Sequence, residues 1–281
     1  MIWRFIPYKK LNAFENMAID EAIFRENQLI DAAPTLRFYS WSPPSISLGY
    51  FQEASKEVDV EECRRYHIDI VRRPTGGKAV LHEHDLTYAV VAKENNPLFP
   101  PDILGTYRVI SGCIADALLE LGIKTEMADD GRISQDELLK ASCFSSPSRY
   151  ELLVNKRKIC GSAQVRSRGV FLQHGSILLD FDPVKTCAVL LSRTGDRERH
   201  AKQLRESVTS IYEHTGSIVN VALICGALKK NFEKKLGIAL VQEEMTPGEE
   251  ILKTRLMHNK YMNDKWNLKG KGATNGYKYF N

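Results

Sequence analysis

The chain has 281 residues, 43% of them hydrophobic and 26% charged. Those fractions exclude a disordered, collagenous or coiled-coil chain, and at roughly 150 residues per domain the length admits two domains or one large one. The formal charge of +4, from 39 Lys and Arg against 35 Asp and Glu, is too small to argue for nucleic acid and suits transient docking of an acidic protein.

In chain order, Trp3 to Ile6 reads as a short strand. The opening MIWRFIPYKK is not an apolar leader, and no apolar run approaches the roughly 18 residues of a membrane helix. From Asn12, a plausible N-cap, the segment NAFENMAIDEAIFREN places Phe14, Met17, Ala18, Ala22 and Phe24 near one helical stripe. Strands follow at Thr35–Trp41 and Ser45–Phe51, split by the turn signal Ser42-Pro43-Pro44. Asp59 can cap a helix through Tyr66, and Ile68–Arg72 is again strand-like. A turn, PTGGK, leads into the alternating AVLH and DLTYAVVA. Asp102 to Leu121 reads as an amphipathic helix burying Ile103, Tyr107, Ile110, Ile114 and Leu118. Ala128 to Ser148 is a long polar stretch, expected to be a loop with a function or with mobility.

Three strand signals come next, RYELLVN, RKICGSAQVR and GVFLQHGSILLD, joined by hairpin turns at Asn155-Lys156 and Ser167-Arg168-Gly169. Beyond Pro183 the pattern is mainly helical (Val184–Leu191, Val219–Leu236, Pro247–Asn259) with a strand at Gly237–Gln242. Antiparallel strands followed by helices predict an α+β fold rather than a doubly wound parallel sheet.

Three clusters can carry chemistry. In Arg72-Arg73-Pro74-Thr75-Gly76-Gly77-Lys78, a Gly-Gly turn lets backbone approach a ligand, and two arginines offer fork-shaped donors to carboxylate or phosphate. The spacing fits neither a Walker A loop nor a dinucleotide fingerprint, and a plain hairpin turn with surface arginines explains it equally well. The second cluster is Lys158-Ile159-Cys160-Gly161-Ser162-Ala163-Gln164, paired through a hairpin with Gln173-His174-Gly175-Ser176. The period-two rule puts Lys158, Cys160 and Ser162 on one strand face, kept open by small residues. A lysine there is aimed at a bound group or is an edge-strand guard against aggregation.

The third cluster is Cys143 in ASCFSSPS. A partly exposed thiol in a polar loop is reactive if a cation raises its thiolate fraction, and an incidental loop cysteine otherwise. Six cysteines (63, 113, 143, 160, 187 and 225) include no CxxC pair, so a reducing, cytoplasmic setting is expected, with Cys63, Cys113, Cys187 and Cys225 in the core.

Together and in this order, the motifs resemble the lipoate/biotin protein ligase superfamily, and within it the Bacillus-type octanoyltransferases of lipoate synthesis. The resemblance rests on NAFENMAIDEAI, RRPTGGKAVLH followed by DLTY, ASCFSSPSRYEL, KICGSAQ, LQHGSILLD and KYMNDKW. It implies one catalytic domain over residues 1–266, built on a mixed, largely antiparallel sheet flanked by helices, with a loosely ordered tail at 267–281. It also implies transfer of octanoyl from octanoyl-acyl carrier protein to a lysine of a lipoyl domain, the glycine cleavage H protein above all. Such transfer runs through a thioester acyl-enzyme, with no cofactor and no metal, in a monomer. Cys143 aligns with the family nucleophile and Lys158 with its catalytic-site lysine. Arg72, Arg73, Gly76, Gly77, His82, Gly161, Ser162, His174 and Gly175 would bind substrate, with the two histidines orienting it or supporting an oxyanion. Cys160 is the rival nucleophile, two residues from Lys158.

An ATP-dependent lipoate–protein ligase is the main alternative. Against it stand Lys78, where many ligases carry a third glycine, and Glu83-His84-Asp85 after His82. An amidotransferase moving octanoyl from H protein to other lipoyl domains, and a non-catalytic module binding acylated carriers, remain as further readings. Nucleic-acid binding has only the +4 charge behind it.

Overall fold

The computed structural model describes residues 1–128, 151–190, 197–217 and 220–270. The chain runs β1 (Ile2–Leu11), α1 (Ala13–Leu29), β2 (Thr35–Trp41), β3 (Ser45–Leu48), α2 (Ala54–Glu57), α3 (Val60–Arg65), β4 (Asp69–Arg72), β5 (Val80–His82), β6 (Asp85–Lys93) and α4 (Ile103–Glu120). It continues through β7 (Glu126–Met127), β8 (Leu152–Val154), β9 (Arg157–Ser167), β10 (Val170–Leu178), α5 (Pro183–Val189), α6 (Arg197–Ser207), α7 (Ile211–Thr215), α8 (Val221–Leu236), β11 (Ala239–Gln242) and α9 (Pro247–Leu256). Two π-helical turns, Met257–Tyr261 and Lys265–Lys269, close it.

Local chemistry sets the helix starts. Asn12, Asp59 and Asp102 each accept a backbone N–H three residues on, from Glu15, Glu62 and Gly105, which satisfies donors a helix leaves open. The two hairpin turns have positive φ at both central residues, Asn155 and Lys156 in one, Arg168 and Gly169 in the other. That backbone matches the right-handed twist of the flanking strands and explains the tight β8–β9 and β9–β10 pairings.

The strands build an eight-stranded sheet in the order β11-β1-β2-β6-β10-β9-β8-β7. Only the β1 pairings with β11 and β2 are parallel, so the sheet is mixed and largely antiparallel, as the sequence predicts. One face packs on α4 and α8 through Phe38, Tyr88, Phe171, Ile114 and Phe232. The other packs on α1 and the C-terminal segment through Met17, Ile23, Tyr39, Leu172 and Tyr261. Burial on both faces makes this an α/β sandwich around one sheet. A second sheet, β4-β3-β5, stands over the α1 side and packs its own small core, including Ile46, Leu48, Cys63 and Leu81.

Some sequence expectations need correcting. β3 stops at Leu48, because residues 49–52 turn back on themselves through a Gln52 N–H to Gly49 O bond. Ile103 sits half exposed in the first turn of α4, where the helix has not yet reached the core that takes Ile110, Ile114 and Leu118. Helices α6 and α7 escape the pattern, since α6 buries only Ala201 and Leu204. Cys63, Cys113 and Cys187 are buried and Cys225 is half-buried. From the expected tail, Asn267 is buried and Leu268–Gly270 are described; residues 271–281 lie outside the described residues. Among the described residues, no helix is long and apolar enough to cross a membrane.

Candidate active site

A cavity of about 150 Å³ opens where the small sheet meets the α1 face of the large one. Met17 from α1, Tyr39 and Trp41 from β2, and Val80 and His82 around β5 line one part. Gly161 and Ala163 of β9 and Gly175 and Ser176 of β10 line the other. These small residues stand side by side, Gly175 facing Ser162 and Ser176 facing Gly161 across the ladder. An unbranched chain can lie against backbone there, as a mostly apolar pocket with a few placed polar groups allows.

Lys158 enters this wall with its ammonium buried and 2.6 Å from the carboxylate of Glu151, also buried. The seat depends on Gly161: a Cβ there would lie 2.6 Å from Lys158 Cε and 2.8 Å from Nζ. The pairing register explains how the side chain gets there. Leu152 faces Cys160 but Leu153 faces Lys158, so β9 carries one extra residue in between. This bulge changes the alternation. Lys158 lies with Gly161 and Ala163 on the cavity side, while Cys160 joins the opposite core and Ser162, which also touches the cavity, turns its Oγ to Tyr88 OH. The shared face expected for Lys158, Cys160 and Ser162 is therefore overturned. Burial pushes the Cys160 thiol up to about 12, against the smaller opposing pull of the Lys158 charge.

Two histidines bring matching relays to the cavity. His174 Nδ1 meets Asp20 Oδ2 at 3.1 Å and its Nε2 meets Thr75 Oγ1 at 2.7 Å. His82 Nδ1 meets Asp85 Oδ2 at 2.8 Å and its Nε2 meets Ser47 Oγ at 2.8 Å, with the ring stacked on Trp41. Arg73 donates to both hydroxyls, Thr75 Oγ1 and Ser47 Oγ, and so ties the two histidine partners together. Each ring turns Nδ1 toward a carboxylate. Burial lowers the His174 pKa, against the attraction of Asp20, and keeps that ring neutral. Burial would raise Asp20, but Arg37 and the hydrogen bonds from His174 and Tyr39 outweigh it and hold the carboxylate ionised.

Of the residues expected at the site, Arg73, Gly77, His82, Lys158, Gly161, Ser162, His174 and Gly175 line one cavity. Arg72 and Gly76 do not. The Arg72 guanidinium is buried behind the turn and donates to the carbonyls of Gly49, Tyr50, Gln52, Trp266 and Asn267. Gly76 uses its carbonyl to accept from Arg73. Cys143 lies outside the described residues. Glu151, Asp20, Asp85, Ser47 and Thr75 join the site without having been singled out by sequence. Glu151, Asp85, Thr75 and Asp20 stand inside quoted motifs, RYEL, DLTY, RRPTGGKAVLH and NAFENMAIDEAI, but nothing local marks Asp20 as the partner of a histidine 154 positions away.

Residues 12–233 match the lipoyl protein ligase A/B catalytic domain. The chain is 41% identical to octanoyltransferase LipM of Kyrpidia tusciae, covering 95% of this chain and 98% of that protein. It is 39% identical to octanoyltransferase LipM of Bacillus subtilis at the same coverage. Among solved structures it is similar to a lipoate-protein ligase A bound with ATP, with 27% identity, a TM-score of 0.79 and coverage of 95% and 99% of the two chains. It is also similar to the bipartite lipoate protein ligase of Thermoplasma acidophilum, with 28% identity, a TM-score of 0.80 and coverage of 95% and 96%. Matched over most of its length in sequence and in fold, this chain belongs to the lipoyl protein ligase A/B catalytic domain family.

Proposed function

We propose that this protein is an acyltransferase of protein lipoylation that moves octanoyl from octanoyl-acyl carrier protein to a lysine of a lipoyl domain, the glycine cleavage H protein in particular. The observation that carries the reading is the buried Lys158–Glu151 pair set in the wall of a cavity whose floor is glycine, alanine and serine. Its support from relatives is their name, octanoyltransferase, at 39–41% identity.

In this reading Cys143, eight residues before Glu151, is the nucleophile. Its thiolate adds to the thioester carbonyl, the carrier thiolate leaves, and octanoyl stays on the enzyme as a thioester. The acceptor amine then adds to that carbonyl, loses a proton and expels the Cys143 thiolate, so no ATP is consumed. Lys158 supplies positive charge beside the reacting sulfur, with Glu151 fixing where the ammonium sits. His82 and His174, whose ring nitrogens are already engaged, shape the acyl pocket rather than exchange protons with substrate. The other thiols are poor rivals. Burial pushes Cys63, Cys113 and Cys225 up to about 12 and Cys187 to about 11, which leaves little thiolate near neutral pH. The protein acts as a cytoplasmic monomer, its catalytic domain spanning residues 1–266.

Intact-mass measurement after mixing with octanoyl-carrier tests this. One hydroxylamine-labile octanoyl adduct is expected, present in Cys160→Ser and absent in Cys143→Ser. The reverse pattern moves the nucleophile to Cys160. The similarity to a ligase bound with ATP favours one competing reading, and donor choice decides it: activity with free lipoate plus ATP and none with the carrier thioester sinks acyl transfer.

A further inference from the structure

We propose that Trp266 and Asn267 act as a positioning clamp on the acyl cavity, working through Arg72. The proposal rests on the acyl-transfer reading for its kinetic consequence and on the contacts alone for its structural one. Both residues lie beyond the stretch that matches the catalytic domain, yet they hold Arg72 from both ends. Asn267 Oδ1 accepts the Arg72 backbone N–H at 3.0 Å, and Trp266 Nε1 donates to the Arg72 carbonyl at 3.0 Å. The carbonyls of Trp266 and Asn267 then receive Nε and Nη2 of the same guanidinium.

With that side chain fixed, its remaining nitrogen gathers the carbonyls of Gly49, Tyr50 and Gln52 at 2.9, 3.2 and 2.6 Å. The turn so gathered touches the glycine loop directly. A Cβ on Gly49 would lie 1.9 Å from the Gly77 carbonyl oxygen, so the two backbones pass in direct contact. Tyr50 N also donates to Thr75 O at 2.8 Å, and Thr75 carries the hydroxyl bound to His174. A contiguous physical path therefore runs from residues 266–267 to Gly77 and His174, both of which line the cavity.

The clamp is itself anchored. Lys260 Nζ sits 3.9 Å from the Trp266 ring centroid and donates to both carboxylate oxygens of Glu21 on α1, at 2.9 and 2.7 Å. Asn267 Nδ2 donates to Tyr261 O at 2.7 Å. Arg72 is thus a positioning residue, which accounts for its place outside the cavity in spite of its motif.

Hydrogen exchange by mass spectrometry, read together with transfer kinetics, tests the clamp on the full chain. In Asn267→Ala, amides of residues 73–80 are expected to exchange about tenfold faster while those of β10 keep wild-type rates. The KM for octanoyl-carrier should rise roughly five- to tenfold, with kcat within about twofold. Trp266→Phe keeps a ring over Lys260 and removes a single N–H, so it reports on the same loop in a chain that retains its packing. It should move exchange and KM in the same direction by less. Wild-type exchange at 73–80 with unchanged KM in both variants overturns the clamp. So does acceleration spread equally over β6, β10 and the loop, which signals only general loosening. If the wild type transfers no octanoyl from any donor but residues 73–80 still exchange faster in the variants, acyl transfer falls and the clamp stands.

Discussion

At Gly161 one added carbon would occupy the space of the Lys158 ammonium. Gly161→Ala must push Lys158 off Glu151 or bend β9. Because misplacing a reacting group by about 1 Å can cost 10²-fold, octanoyl transfer should fall roughly a hundredfold while the melting temperature moves by only a few degrees. A variant with wild-type turnover would show that the ammonium's position does not matter. His174 offers a second test at the same scale. Its pKa is lowered by burial from the ordinary 6.5, so below pH 6.5 the unfolded chain takes up a proton that the native ring refuses. Stability from this ring is therefore complete above 6.5 and is lost as pH falls below that value, whereas the stability from Asp20 and Glu21, both held below their ordinary values, stays complete across this range and is lost only as pH falls below about 4. Calorimetry from pH 8 to 5.5 should show a falling melting temperature that His174→Gln flattens. Equal slopes in the two proteins would count against a buried neutral imidazole.

Among the elements, the β8–β9 hairpin holds a lysine where glycine is the natural occupant. Lys156 has φ of 64°, next to Asn155 at 50°, and a left-handed conformation costs a side-chain-bearing residue about 1 kcal/mol. Lys156→Gly keeps the backbone bond to Glu126 and should stabilise the protein by up to about 1 kcal/mol in urea titrations. A loss of stability would mean that the turn does not relax onto glycine. This hairpin was legible in the sequence, as were the helix caps Asn12 and Asp59, because turn and cap chemistry is decided within four residues. The bulge at Ile159 was not, since it exists only in the register between two strands; without it, counting by twos sends Lys158 to the wrong face. Helix α6 failed for a related reason: with two buried side chains, Ala201 and Leu204, its sequence carries too little periodicity to announce itself. Arg72 and Arg73 looked alike because the acceptors that separate them are distant, Trp266 being 194 positions away.

On the scale of the whole molecule, the resemblance to known motifs reached the mixed sheet and its helices, and pattern alone reached α+β. What neither could reach was the set of buried ion pairs that tie the C-terminal segment to the start of the chain. Arg4 on β1 and Glu249 on α9 form a two-pronged pair at 2.7 and 2.5 Å, with Glu249 fully buried and closing the capping box of α9 as well. Removing one member of a buried pair leaves an uncompensated charge and costs about 3–5 kcal/mol. Glu249→Ala should lose roughly that much in urea unfolding, and a loss below about 1 kcal/mol, the range of exposed pairs, would contradict the burial.

The placement of β1 also bears on how the protein is made. Its register pairs Ile2 with Ala239 on one side and Arg4 with Thr35 on the other. During synthesis β2 emerges soon after β1, but the second edge of β1 has no partner until residues 239–242 have been made. Contacts this distant in sequence slow folding, and an open strand edge invites pairing with the wrong neighbour. The β1 edge therefore stays unpaired until β11 arrives, and β11 then becomes the edge in its place.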